Sequence, residues 1–163
     1  MAKLYIITGP AGVGKSTISD MLSKELKKCA AIEGDEIYHM VRNPYVSPWK
    51  ENNHLDIFWK NVYSLIHNFL DNGYDVVFNY IVKGKRLEMI KEQFKDYEII
   101  FKCLLCSKDE LVLRDQGRDV DIQMGERVVV LLNEFLNDNF DEDLVIDTTR
   151  KSKEEIVQIL LEK

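Results

Sequence analysis

The sequence of 163 residues has no apolar run near the ~20 residues that a membrane-spanning helix needs. No secretory leader is expected, because Leu4-Tyr5-Ile6-Ile7 runs at once into a glycine-rich stretch. The expected setting is the cytoplasm, without a membrane partner. Cysteine is scarce and odd in number: Cys29, Cys103 and Cys106 do not form a disulfide framework. Cys103 and Cys106 are spaced like half of a zinc site, but no second Cys or His pair lies at zinc spacing, and they end an apolar run from Ile99 that reads as a buried strand. An excess of basic residues is also missing. The net charge is −6, from 28 acids against 22 bases, which argues against a general nucleic-acid surface. No internal repeat, linker or low-complexity tract divides the chain, so one domain over 1–163 is expected.

What is present is an alternation of two periodicities. Short β-rich runs occur at 4–8, 30–32, 74–82, 97–105 and 144–146. Between them apolar residues recur at helical spacing, most clearly at Leu55, Phe58, Trp59, Val62, Leu65, Ile66, Phe69 and Leu70. Further helices are expected after Ser16, over 37–41, at 87–94, after Ser107, over 128–135 and after Ser152. Ser107-x-x-Glu110 and Ser152-x-x-Glu155 have the pattern of a capping box. Such β-α alternation predicts an α/β fold of three layers, with a five-stranded, mainly parallel sheet and helices on both faces. Ligands of such sheets bind at the carboxyl ends of the strands.

Directly after the first strand stands Gly9-Pro10-Ala11-Gly12-Val13-Gly14-Lys15-Ser16, followed by Thr17. This is G-x-x-x-x-G-K-[ST] between a strand and a helix, the setting of a phosphate-binding loop. Glycines let the backbone curl so that its N–H groups face phosphate oxygens, and the following helix adds its positive end. Lys15 is expected on the β- and γ-phosphates, and the Ser16 hydroxyl in the Mg²⁺ shell. ATP with Mg²⁺ is the expected ligand. GTPase switches use D-x-x-G and [NT]-K-x-D, and neither occurs here.

Ile32-Glu33-Gly34-Asp35 places Asp35 just past the second strand. Asp35 could orient a substrate hydroxyl or hold Mg²⁺ through water, or it could cap the next helix; the residues alone leave these readings level. With this segment in view, the chain resembles the small P-loop kinases of the gluconate kinase, shikimate kinase and chloramphenicol phosphotransferase group. The resemblance implies that Asp35 contacts the acceptor hydroxyl, with His39 nearby. Arg114-x-x-x-Arg118 resembles the start of the lid in adenylate-kinase-like enzymes, here about 114–127. Both guanidiniums share one helix face and suit phosphate or a base, and the resemblance implies Arg118 as the adenine-stacking or phosphate contact with Arg114 beside it; the alternative is salt bridging to Glu110, Asp115 and Asp119. Arg127 is a third cation of that segment. Thr149, in Asp147-Thr148-Thr149, falls where these kinases close over the adenine, or simply in a turn.

One position departs from the pattern. The third strand carries Asn79 where many P-loop proteins have an Asp supporting Mg²⁺. Asp35 would then take the acidic role, and Asn79 could read a substrate hydroxyl. His39, Arg42 and Trp49 are further candidates for the acceptor, with Trp59 assigned to the core. The expected activity is ATP-dependent phosphoryl transfer to a hydroxyl of a small molecule, catalysed by Lys15, Asp35, Arg114 and Arg118. A nucleotide or polynucleotide 5′-end kinase, or a nucleotide-responsive binding module, are the alternatives.

Overall fold

The computed structural model describes residues 1–162. Five strands form one parallel sheet in the order β2-β3-β1-β4-β5: β1 Lys3–Thr8, β2 Cys29–Glu33, β3 Asp75–Asn79, β4 Glu98–Leu105 and β5 Val145–Asp147. Each crossover carries helix: α1 Lys15–Glu25, the short α2 Gly34–Tyr38 with α3 Leu55–Asp71, α4 Gly84–Gln93, then α5 Lys108–Gln116 with α6 Glu126–Asn137. α7 Lys153–Leu161 follows β5. This is the expected three-layer α/β fold, and no helix among the described residues is long and apolar enough to cross a membrane.

Alternation along the central strands produces the two cores. Leu4, Ile6, Val76 and Phe78 point to one face, where α3 and α4 contribute Phe58, Trp59, Val62, Ile66, Leu87 and Ile90. Tyr5, Ile7 and Val77 point to the other, against Ile18 and Leu22 of α1 and Ile156, Val157 and Leu160 of α7. Successive strand side chains face opposite ways, so one continuous apolar run serves both layers. Cys103 and Cys106 are buried free thiols, and burial pushes Cys103 up to about 12. Ser107 accepts from the Glu110 amide, and Ser152 with Glu155 forms the reciprocal capping box.

Two element boundaries differ from the periodicity. The third strand stops at Asn79, not Val82, because the Thr8 hydroxyl accepts from the Val82 amide (2.8 Å) and donates to the Val82 carbonyl (3.0 Å), drawing 80–82 out of the sheet. The helix after β2 begins at Gly34 and ends at Tyr38, ahead of the expected 37–41. Gly34 is required by space: a Cβ there would lie 2.5 Å from Tyr80 Cδ2 and 2.7 Å from Tyr80 Cβ. Because Tyr80 Cβ is one of the clashing atoms, rotating the ring does not relieve the overlap. Gly34→Ala is therefore expected to cost about 1–3 kcal/mol through overpacking, a fall in Tm of about 2–12 °C for a chain of this size. Calorimetric melting of the variant checks this, and an unchanged Tm would contradict the packing described.

Candidate functional site

At the carboxyl ends of β1, β2 and β3 lies a cavity of about 740 Å³, within the range of small-molecule sites. Its floor is the turn from β1 to α1, and its lining includes Ala11, Gly12, Gly14, Lys15, Ser16 and Thr17. Two glycines fix the course of that turn. Gly9 has φ 145°, and a Cβ on it would run into the Leu104 carbonyl of β4. Gly14 caps α1 in the left-handed region at φ 104°, where a side chain would be strained. Val13 is buried in the core beneath the turn, while Gly9 and Pro10 lie behind the cavity surface. Lys15 Nζ donates to the carbonyls of Gly9 and Pro10, both at 3.0 Å, which lays the ammonium across the loop.

The acid nearest the Ser16 hydroxyl is one that the sequence reading passed over. Ser16 Oγ donates to Glu33 Oε2 at 3.1 Å, and Asn79 Nδ2 donates to Glu33 Oε1 at 2.5 Å. Glu33 and Asn79 are register partners on β2 and β3, so adjacent strand ends hold them together. Asn79 thus carries no charge itself and orients a carboxylate that does. The pair Ser16 and Glu33 offers a hydroxyl and a carboxylate, hard oxygen donors of the kind that magnesium takes. These residues fit the ion that the phosphate loop implies. Asp35, exposed at the start of α2, lines the same cavity. Trp49 of the connecting loop and Tyr80 also line it; burial, then the charge of Asp35, holds the Tyr80 hydroxyl protonated well above its usual range.

Arg114 and Arg118 reach the cavity from α5 and the segment after it. Arg114 is heavily engaged: Nε donates to Glu110 at 2.8 Å, and the Nη atoms donate to the Val13 carbonyl, the Thr148 hydroxyl and the Thr148 carbonyl. It braces the phosphate turn against the β5 end. Among the described residues the Arg118 side chain has only a 3.3 Å contact with Asp115. Asp115 is the anchor of the polar segment. Burial raises its pKa, but the amides of Met124 and Gly125 and the Arg118 guanidinium outweigh this and hold the carboxyl below its ordinary value.

Besides Gly9, Pro10 and Val13, three further expected site residues are not at the cavity wall. His39 is exposed and stacks on Tyr45, because α2 ends at Tyr38 and turns the following residue outward. Arg42 is exposed beyond it, on the loop that leads to Pro44. Thr149 is committed to the turn after β5: its hydroxyl donates to Asp147 and accepts from the Ser107 amide. Conversely, Lys83, Arg86 and Arg127 do line the cavity. Lys83 and Arg86 belong to the basic run Lys83-Gly84-Lys85-Arg86 just past β3, a signal legible in retrospect. Trp59 is a core residue, 6% exposed, whose edge also forms part of the wall.

The AAA domain family matches residues 6–127, three quarters of the chain. Among solved structures, the tunicamycin resistance protein of Deinococcus radiodurans superposes with a TM-score of 0.72 at 16% identity, covering 99% of this chain and 95% of that one. A gluconokinase from Sinorhizobium meliloti 1021 gives 0.69 at 18%, covering 98% and 90%. Thymidylate kinase from Candida albicans gives 0.65 at 16%, covering 99% and 90%. At these identities the likeness is one of fold. With the phosphate loop, the sheet order and the family match together, the chain belongs to the AAA domain family and has the α/β fold of the P-loop kinases.

Proposed function

We propose that this protein is an ATP-dependent phosphotransferase that moves the γ-phosphoryl group to a hydroxyl of a small molecule. The observation that carries this reading is that one cavity is lined both by the phosphate loop and by an exposed acid, Asp35, just past the end of β2. The same cavity is walled by Trp49 and Tyr80, outside the phosphate turn. The likeness to a gluconokinase and a thymidylate kinase supports phosphoryl transfer as the chemistry.

The turn from Gly9 to Thr17 would receive the triphosphate through its amides and the N-terminus of α1. Ser16 and Glu33 would hold Mg²⁺, which when bound neutralises charge on the phosphate oxygens. Asp35 would take the proton of the acceptor hydroxyl as its oxygen bonds to the γ-phosphorus and the bond to the β,γ-bridging oxygen breaks. The products are a phosphate monoester, ADP and a proton released to solvent. Lys15, assisted by Arg118, would stabilise the transferring group, while Arg114 keeps the turn in place. Segment 114–127 would act as a lid, with Arg118 leaving its long contact with Asp115 for the nucleotide.

Lys15 also confers a pH signature. Burial lowers its pKa to about 8, against the opposing charges of Asp35 and Glu33. The triphosphate binds the protonated ammonium. Below pH 8 the free protein already carries that proton; above it, binding must draw one from solution. Affinity for Mg·ATP is expected to be level from pH 6.5 to 7.5 and to fall by up to about tenfold per pH unit above 8, with net proton uptake. Calorimetry in buffers of different ionisation enthalpy measures both, and a flat profile to pH 9.5 would contradict this environment for Lys15.

Substitutions separate the other roles. Lys15→Ala is expected to abolish transfer. Asp35→Asn should lower kcat by about 10²–10⁴-fold, the span of general base catalysis, with nucleotide affinity little changed. Glu33→Gln should raise the Mg²⁺ concentration needed for tight binding of an ATP analogue by about 10–100-fold. Retention of normal turnover in Asp35→Asn would remove the proposed proton acceptor.

A further inference from the structure

Beyond the phosphate loop the cavity changes character. Its wall there is made by Pro48, Trp49, Leu55, Trp59, Tyr80 and Ile81. A site for a polyol presents many donors and acceptors; these residues present mainly aromatic and aliphatic carbon. Set into this wall are cations. Lys83 is neutralised by Glu134 at 2.6 Å. Arg86 and Arg127 are not: among the described residues neither has a carboxylate within ion-pair distance. The Arg86 guanidinium lies 4.4 Å from the centre of the Trp59 ring and donates to the Tyr63 hydroxyl at 3.3 Å. The Arg127 guanidinium lies 4.7 Å from the centre of the Trp49 ring, and its Nε is buried with no hydrogen-bond partner among the described residues.

A guanidinium stays charged at any pH the protein meets. Seated on an indole face it is positioned and partly desolvated, yet its fork is not filled. Two such groups in one apolar chamber favour a ligand that brings an anion and a flat apolar body together. From these observations, and resting on the phosphotransferase reading above, we infer that the acceptor is a ring-bearing hydroxy anion. Its ring system lies against the Trp49 and Trp59 side of the chamber. Its carboxylate or phosphate is held by Arg86 and Arg127, and its hydroxyl is turned to Asp35. The transfer is balanced as before: the hydroxyl oxygen gains the phosphoryl group, ADP leaves, and the proton passes through Asp35 to solvent. A simple sugar or sugar acid brings no flat apolar body to this wall.

The test uses the full chain saturated with a non-hydrolysable ATP analogue and Mg²⁺. Binding is measured for 3-(hydroxymethyl)benzoate and thymidine 3′-phosphate, which separate carboxylate from phosphate. Benzyl alcohol and thymidine are their neutral counterparts, and gluconate is an anion without an aromatic face. At least one ring-bearing anion is expected to bind about tenfold or more tightly than both its neutral counterpart and gluconate. Arg86→Gln should erase that preference and Arg86→Lys restore part of it, with melting curves showing that both variants fold. Equal binding of neutral compounds or gluconate, no binding of either ring-bearing anion, or an intact preference in Arg86→Gln would each overturn the inference. Turnover with Mg·ATP is read separately. Phosphorylation of gluconate or benzyl alcohol in preference to the ring-bearing anions would overturn the acceptor assignment and leave the phosphotransferase reading standing. Binding of a ring-bearing anion without formation of ADP would overturn the phosphotransferase reading instead.

Discussion

The backbone between β1 and α1 must pass so close to β4 that no side chain fits at Gly9, where a Cβ would meet the Leu104 carbonyl. That approach sets the rest of the site. It lets the turn curl over the strand ends, starts α1 at Lys15, and leaves the turn and Lys15 lining one cavity. Arg114 holds the turn from above by binding the Val13 carbonyl and the β5 end at Thr148. Val13 anchors it from below in the core. A loop fastened on both sides can offer its amides to a ligand without first paying to order them, which is how preorganisation becomes affinity.

The charge arrangement follows from sheet register. A carboxylate at the end of β3 would sit beside Ser16 directly. Here β3 ends in Asn79, and its parallel partner on β2, Glu33, reaches across instead. The amide fixes one carboxylate oxygen and leaves the other for the Ser16 hydroxyl. The negative charge has moved one strand sideways while the donor set beside the phosphate turn remains. Asp35, two residues further along, is then left for the acceptor side of the cavity.

Much of this was legible in the chain. The phosphate turn is local, because its glycines, lysine and serine act through their own backbone. The sheet was legible because alternation in runs such as Leu4 to Ile7 must serve two apolar faces. The caps at Ser107 and Ser152 are likewise set within four residues. What escaped was whatever depends on distant elements meeting. Glu33 gains its role only from the residue that register places opposite it. Arg86 and Arg127 sit over indoles supplied by α3 and by the loop at Trp49. His39 and Arg42 looked suitable by type, but a helix ending at Tyr38 carries them outside. Thr149 is occupied by a turn that joins β5 to the start of α5.

The central claim is that the phosphate turn and Asp35, on one cavity, serve one transfer. The direct measurement is ³¹P NMR of Mg·ATP incubated with the protein and an acceptor that binds it. A phosphate monoester resonance rising in step with ADP, without inorganic phosphate, is the result this account predicts. Release of inorganic phosphate alone, or nucleotide that stays unchanged while both ligands are bound, would contradict it.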